Sequence, residues 1–129
     1  MSPETPDPQS ATRACDEDAR AGIEETIRAQ VTAFAQADFA AARTFASQGF
    51  QSGVSEREFQ AIIEAQYAFL LDSPEVDFLD CAQVDDLAQI LVQVTASDVI
   101  DLQYRLVRES EGWRIDGATI SDVREAVTA

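Results

Sequence analysis

The chain contains no histidine and no lysine, so all nine of its basic residues are arginine. Without histidine it lacks the commonest general base and the commonest metal ligand. Without lysine it can form no Schiff base and no phosphate-loop lysine contact. Cations of any kind are scarce: 24 acidic residues stand against nine basic ones, a formal net charge of −15. Such a surface repels polyanions, which excludes nucleic acid as a partner. Only two cysteines occur, Cys15 and Cys81, too few for a disulfide scaffold. Cys15 lies beside a tail expected to be flexible and Cys81 inside an expected strand. A long-range disulfide between them is open, but two free thiols and a reducing compartment are the expectation. No apolar run approaches the roughly 20 residues that span a bilayer, so no membrane insertion is expected. The first 15 residues lack the apolar centre of a signal peptide, and cytoplasmic location is the default expectation. Thr12-Arg13-Ala14-Cys15 weakly resembles a lipoprotein cleavage site, and an exported origin reopens if the chain is a trimmed piece.

What remains is a globular composition over 129 residues, 46% hydrophobic, 26% charged and 8% aromatic. That length suits one domain, burying about 68% of its unfolded surface. Three of the four prolines fall within residues 1–15, which reads as a disordered extension ahead of a single domain over 16–129. Asp16-Glu17-Asp18 opens a helix with acidic residues facing the positive end of its dipole. Ile23, Ile27, Val31 and Phe34 then recur at steps of four, four and three, an apolar stripe on a long helix ending near Ala37. Asp38 caps a shorter helix with Phe39, Ala42, Phe45 and Ala46 on one face, and Gly49 and Gly53 are expected to break it. Ser55 and Glu58 make a capping box for a third helix. Its buried side carries Phe59, Ile62, Ile63, Gln66, Phe69 and Leu70, and Pro74 closes it.

Beyond Pro74 the hydrophobic period falls from 3.6 to about 2, and strands are expected over 76–84, 87–96, 98–109 and 112–120. Asp85-Asp86 and Ser110-Glu111-Gly112 supply tight turns, so neighbouring strands are antiparallel. Residues 121–129 fit either a short helix or an extension of the last strand. Three helices ahead of a meandering, curved antiparallel sheet of four or more strands is an α+β arrangement. A twisted sheet wrapped around a long helix makes a cone that is often hollow at its wide end.

The opening IEETIRAQVTAFAQADFAAARTFAS and the closing hairpin LQYRLVRESEGWRIDGATI resemble the nuclear-transport-factor-2-like superfamily of α+β cones, over about residues 19–120. Within it the chain is most similar to an uncharacterised bacterial domain family with the same Trp-Arg-Ile-Asp-Gly ending. The resemblance implies the cone fold and a homodimer through the outer sheet face. It carries little about activity, since that superfamily holds isomerases, dehydratases, cyclases and non-catalytic binding modules. Its enzymes often use an Asp–His pair, which this chain cannot supply.

The groups that remain for chemistry are few. Tyr104 shares an apolar strand face with Ile100, Leu102 and Leu106, and Tyr67 lies near the end of the third helix. A buried tyrosine can polarise a carbonyl or simply pack its ring with its hydroxyl on a backbone group. Asp116 becomes a general base if an apolar pocket raises its pKa, and is otherwise a strand-end residue. Trp113 is expected at the core's edge, on the face opposite Asp116. Asp77, Asp80, Asp85 and Asp86 match no calcium loop and read as a solvated acidic face, so no metal and no cofactor are expected. Phe59, Ile62, Phe69, Ile100, Leu102, Tyr104 and Leu106 are expected to line the cone with few convergent polar groups. That favours a non-catalytic module holding a small apolar ligand or serving an accessory role. The alternative is an isomerase, dehydratase or hydrolase working through Tyr67, Tyr104 and Asp116 without histidine.

Overall fold

Asp16 starts the first helix by accepting the Ala19 N–H on its carboxylate at 2.8 Å. Helix α1 then runs Glu17–Ala35. The structure is a computed structural model that describes residues 12–125. The buried side of α1 carries Ala19, Ile23, Ile27 and Phe34 as the periodicity requires, with Thr26 and Gln30 buried among them. Both polar residues are satisfied by side-chain-to-backbone bonds. Thr26 donates to the Trp113 carbonyl at 3.0 Å and Gln30 Nε2 to the Ala42 carbonyl at 3.1 Å. Ala37 turns the chain at a φ of 55°, and Asp38 caps α2, Phe39–Thr44, through the Ala41 N–H.

The glycine pair does not end the helical region, and the described residues form four α-helices where three are expected. Helix α3, Gln48–Gly53, contains both Gly49 and Gly53. Their unfavourable propensity is offset at both ends. Ser47 accepts the Phe50 N–H at 3.1 Å, and the Arg43 guanidinium donates to the Gln51 and Val54 carbonyls at 2.8 and 2.9 Å. Helix α4, Glu56–Gln66, starts with the full capping box: Ser55 Oγ accepts the Glu58 N–H and Glu58 returns to the Ser55 N–H at 2.9 Å. It stops at Tyr67, and Phe69 and Leu70 belong to a following 3-10 helix, Ala68–Asp72. Ser73 in a left-handed conformation and Pro74 then redirect the chain.

The strands β1 (Arg13–Ala14), β2 (Glu75–Val84), β3 (Leu87–Thr95), β4 (Asp98–Glu109) and β5 (Gly112–Glu125) form one antiparallel sheet in chain order. Gly112 closes the last hairpin at a φ of 121°, a conformation that needs no Cβ. The end of the chain extends the last strand as far as Glu125, while residues 126–129 lie outside the described residues. Register breaks in β2 and twice in β5 bend the sheet around α1. Its inner face sets Ile90, Val92, Leu102 and Leu106 against Ile23, Ile27 and Phe34 of the helices. Helices followed by a curved antiparallel sheet make the fold α+β. No helix among the described residues is long and apolar enough to cross a membrane.

One expectation is overturned at the sheet's other edge. Cys15 and Cys81 are joined in a disulfide, not present as two free thiols. Of the extension expected over residues 1–15, residues 1–11 lie outside the described residues, and Arg13 and Ala14 pair with Gln83 and Ala82. Cys15 N–H donates to the Cys81 carbonyl at 3.1 Å, which brings the two Cα atoms to 5.4 Å, within reach of an S–S bond. A two-residue strand has no periodicity to read, so nothing in the sequence pattern put Cys15 beside Cys81.

The bond closes a loop spanning 66 positions, which on chain-entropy grounds stabilises the fold by about 4 kcal/mol. Thiol titration of the unreduced, denatured protein will therefore find no free cysteine. Denaturant unfolding with reductant present will show a lower midpoint, and Cys81→Ala will reproduce the loss without reductant.

Candidate functional site

The open side of the inner sheet face, between α4 and strands β4 and β5, holds a cavity of about 260 Å³. α1 contributes Phe34 and Gln30, α4 contributes Phe59, Ile62 and Ile63, and β4 contributes Leu102 and Tyr104. The aromatic wall is organised. Phe34 stacks on Phe59 with centroids 5.8 Å apart, and Phe50 meets Phe59 edge-on at 5.9 Å. Around the opening lie Tyr67, Arg105, Asp116, Gly117 and Ala118, with Ile62 partly in solvent.

A bulge in β5 shapes that opening. Arg105 pairs with Gly117 and Leu106 with Ile115, so Asp116 has no partner across the strand. The extra residue restores the inward phase two positions on, and Ala118 faces Tyr104. Asp116 is exposed, whereas Trp113 is buried and packs beside Gly22 of α1. The Asp116 carboxylate accepts the Ser47 hydroxyl at 2.7 Å, and that same hydroxyl caps α3. The Arg105 guanidinium lies across Gly117, in the space a Cβ would take, and would have to swing aside for any larger residue there. Arg105 also donates to the Thr119 hydroxyl at 3.3 Å.

The two tyrosines differ. Tyr67 donates to the Ala118 carbonyl at 3.2 Å and so covers a backbone acceptor of β5. Tyr104 is 2% exposed, and among the described residues its hydroxyl has no hydrogen-bond partner. Burial pushes its phenol well above the ordinary range, with the nearby Tyr67 adding to the shift. Tyr104 is therefore a neutral phenol that keeps its proton. Gln30, 5% exposed, spends one amide hydrogen on Ala42, and among the described residues its amide oxygen accepts from nothing.

Phe59, Ile62, Leu102, Tyr67, Tyr104 and Asp116 are thus gathered on one cavity. Phe69, Ile100 and Leu106 are not on its wall. Phe69 packs on Tyr67 with centroids 6.1 Å apart, Ile100 pairs between Val94 and Val123, and Leu106 between Ala88 and Ile115. Among the described residues no group of three or more carboxylates or cysteines could hold a metal ion. Asp77, Asp80, Asp85 and Asp86 are exposed, and Asp86 receives the Arg108 guanidinium at 2.9 Å.

Residues 16–128 match the model of a family described as Domain of unknown function (DUF4864). The chain belongs to that family. No curated protein matches it in sequence.

In this DUF4864 domain, sequence reasoning passed over Gln30, Phe34, Phe50 and Ile115 as cavity residues. A signal for Gln30 was present. Ile23, Ile27, Gln30 and Phe34 follow at steps of four, three and four, which puts a glutamine on the buried stripe of α1. Ser47 carried none, since its partner Asp116 is 69 positions away.

The sign of the Tyr104 shift fixes an alkaline behaviour. A phenol whose folded pKa lies above its unfolded value stabilises the fold fully below about pH 10. That contribution is lost as the pH rises further. Spectrophotometric titration of tyrosinate absorbance should therefore withhold the Tyr104 share until the protein unfolds, and Tyr104→Phe should remove that late step.

Proposed function

We propose that the chain is a non-catalytic binding module of nuclear-transport-factor-2-like type, whose cavity holds a small, mainly apolar molecule. The observation that carries this reading is a cavity walled by Phe34, Phe59, Ile62 and Leu102 whose rim groups are already committed. Asp116 is held by Ser47 and Tyr67 by the Ala118 carbonyl. The volume sits just under the roughly 300–1,000 Å³ of drug-sized pockets, and a cavity of about 150 Å³ suffices for benzene, so the occupant is small. The order of helices and curved sheet supports the superfamily resemblance. One observation favours the alternative of an isomerase, dehydratase or hydrolase: Tyr67, Tyr104 and Asp116 share the cavity. General acid–base work at neutral pH needs a group that exchanges its proton there, and a phenol pushed upward by burial does not.

The module acts as a homodimer through the outer sheet face. That face presents Leu87, 59% exposed, beside the half-buried Leu91 and Val107, with Gln103 donating to Gln89 at 3.3 Å. Mixed apolar and amide surface of this kind suits a non-obligate interface. The disulfide supports a non-reducing compartment in place of the cytoplasmic expectation.

Toluene, added as a probe, is expected to raise the unfolding midpoint and shift the NMR signals of Phe59 and Leu102. At a hundred times its dissociation constant the gain is about 2.7 kcal/mol. Ala118→Leu, which fills the cavity, should abolish both effects; wild-type protein indifferent to toluene would remove the binding reading. For the dimer, light scattering should report twice the chain mass, with the dimer fraction rising as salt screens the repulsion between two copies of net charge −15. A single-chain mass at low and high salt alike would remove the dimer.

A further inference from the structure

We infer that the cavity selects an uncharged ligand built as a compact apolar body with one alcohol or carboxamide head, seated with that head on the Tyr104 hydroxyl. The inference rests on the reading of the cavity as a binding site and adds the chemistry of what enters it. Its starting point is an imbalance in the buried polar groups. A hydroxyl withdrawn from water without a partner costs about 1–3 kcal/mol, and native structures seldom leave one so. Tyr104 is 2% exposed, lines the cavity, and has no partner among the described residues. The adjoining void is where an acceptor for its proton can sit. Gln30 lines the same void with an amide oxygen that accepts from none of the described residues. A head that accepts from Tyr104 and carries a hydrogen of its own can use both groups. An alcohol or a carboxamide does this, and an ether, an ester or a bare hydrocarbon does not.

Charge decides the rest of the class. A carboxylate ligand would have to leave water for a wall of Phe34, Phe59 and Leu102. The cation on the lining is Arg105, exposed, already bonded to Thr119, and located at the opening with Asp116. The net charge of −15 opposes its approach as well. A cationic head has no lone pair to accept the Tyr104 proton, and it too would have to leave water for the apolar wall. A neutral head avoids both penalties. The volume then limits the body to about one substituted ring.

Four probes that share one ring separate these features: benzyl alcohol, benzamide, toluene and benzoate. Each is titrated by NMR into the full chain with its disulfide intact. Benzyl alcohol and benzamide are expected to bind about three- to tenfold more tightly than toluene, the worth of one net hydrogen bond. Benzoate is expected at least about tenfold weaker than benzamide. Tyr104→Phe should erase the advantage of the headed probes over toluene. Should that variant not fold, intermolecular NOEs in the wild type serve instead. They should run from the benzyl alcohol methylene to the Tyr104 ring rather than to Ile62 at the opening. If toluene equals benzyl alcohol, or if the methylene lies against Ile62, the head-group assignment falls while the binding reading stands. Benzoate binding as tightly as benzamide overturns the neutral class. If none of the four binds, the binding reading fails and takes this inference with it.

Discussion

The inner face of the sheet must be shielded from water, and among the described residues α1 is the one long helix available to do it. Ile23, Ile27 and Phe34 lie along its buried stripe, while Ile90, Val92, Leu102 and Leu106 face them from β3 and β4. Burying a side chain of this kind is worth about 1.5–3 kcal/mol, so the match of one stripe to one concave face dominates the fold's energetics. A flat sheet cannot wrap a cylinder, and this one bends at its register breaks. Thr26 ties α1 to the Trp113 carbonyl, which holds the start of β5 against the helix. Where Gln30 and Phe34 of α1 face residues Ile115 to Ala118 of β5 the packing is not closed, and that space is the cavity. The hollow is thus a by-product of how far one helix can cover one sheet.

Much of that arrangement was legible in the residues. The capping box at Ser55 and Glu58, the change of period at Pro74 and the turns at Asp85 and Gly112 each rest on local chemistry, and each falls where local chemistry puts it. The last three expected strands start where the pattern starts them. What escaped reading was decided by distant partners. Helix α3 survives two glycines because Arg43, from the preceding helix, takes the carbonyls at its end. Strand β1 exists because β2 offers it an edge, and the disulfide follows from that pairing.

The site divides along the same line. Period-two alternation put Leu102, Tyr104, Ile100 and Leu106 on one face, and all four are buried there. Alternation carries no position along the strand, however. Only the middle pair reaches the cavity, while Leu106 pairs with Ile115 and Ile100 with Val123 off its wall. Asp116 was placed opposite Trp113 by simple alternation, and the bulge at that residue then put it on the rim, beside a serine that no spacing rule would nominate. The phase of a strand is written in its own residues. Its interruptions are written in its neighbour.

The bond between Cys15 and Cys81 divides the chain into a closed ring and two linear ends. Residues 15–81 form a closed covalent ring that contains every helix among the described residues and the first part of β2. β1 lies on the short end before Cys15, and the remainder of β2 with β3, β4 and β5 hangs from the ring as a long linear tail. A protease that cuts once within the ring, in the exposed stretch around Ser55 for example, opens a circle but releases no fragment. A cut in the tail, as at the Ser110–Glu111 turn, severs the chain outright. The same nick is therefore silent or separating according to whether it falls inside or outside the ring. The helical part, which supplies half the cavity wall, is the part that survives as one molecule.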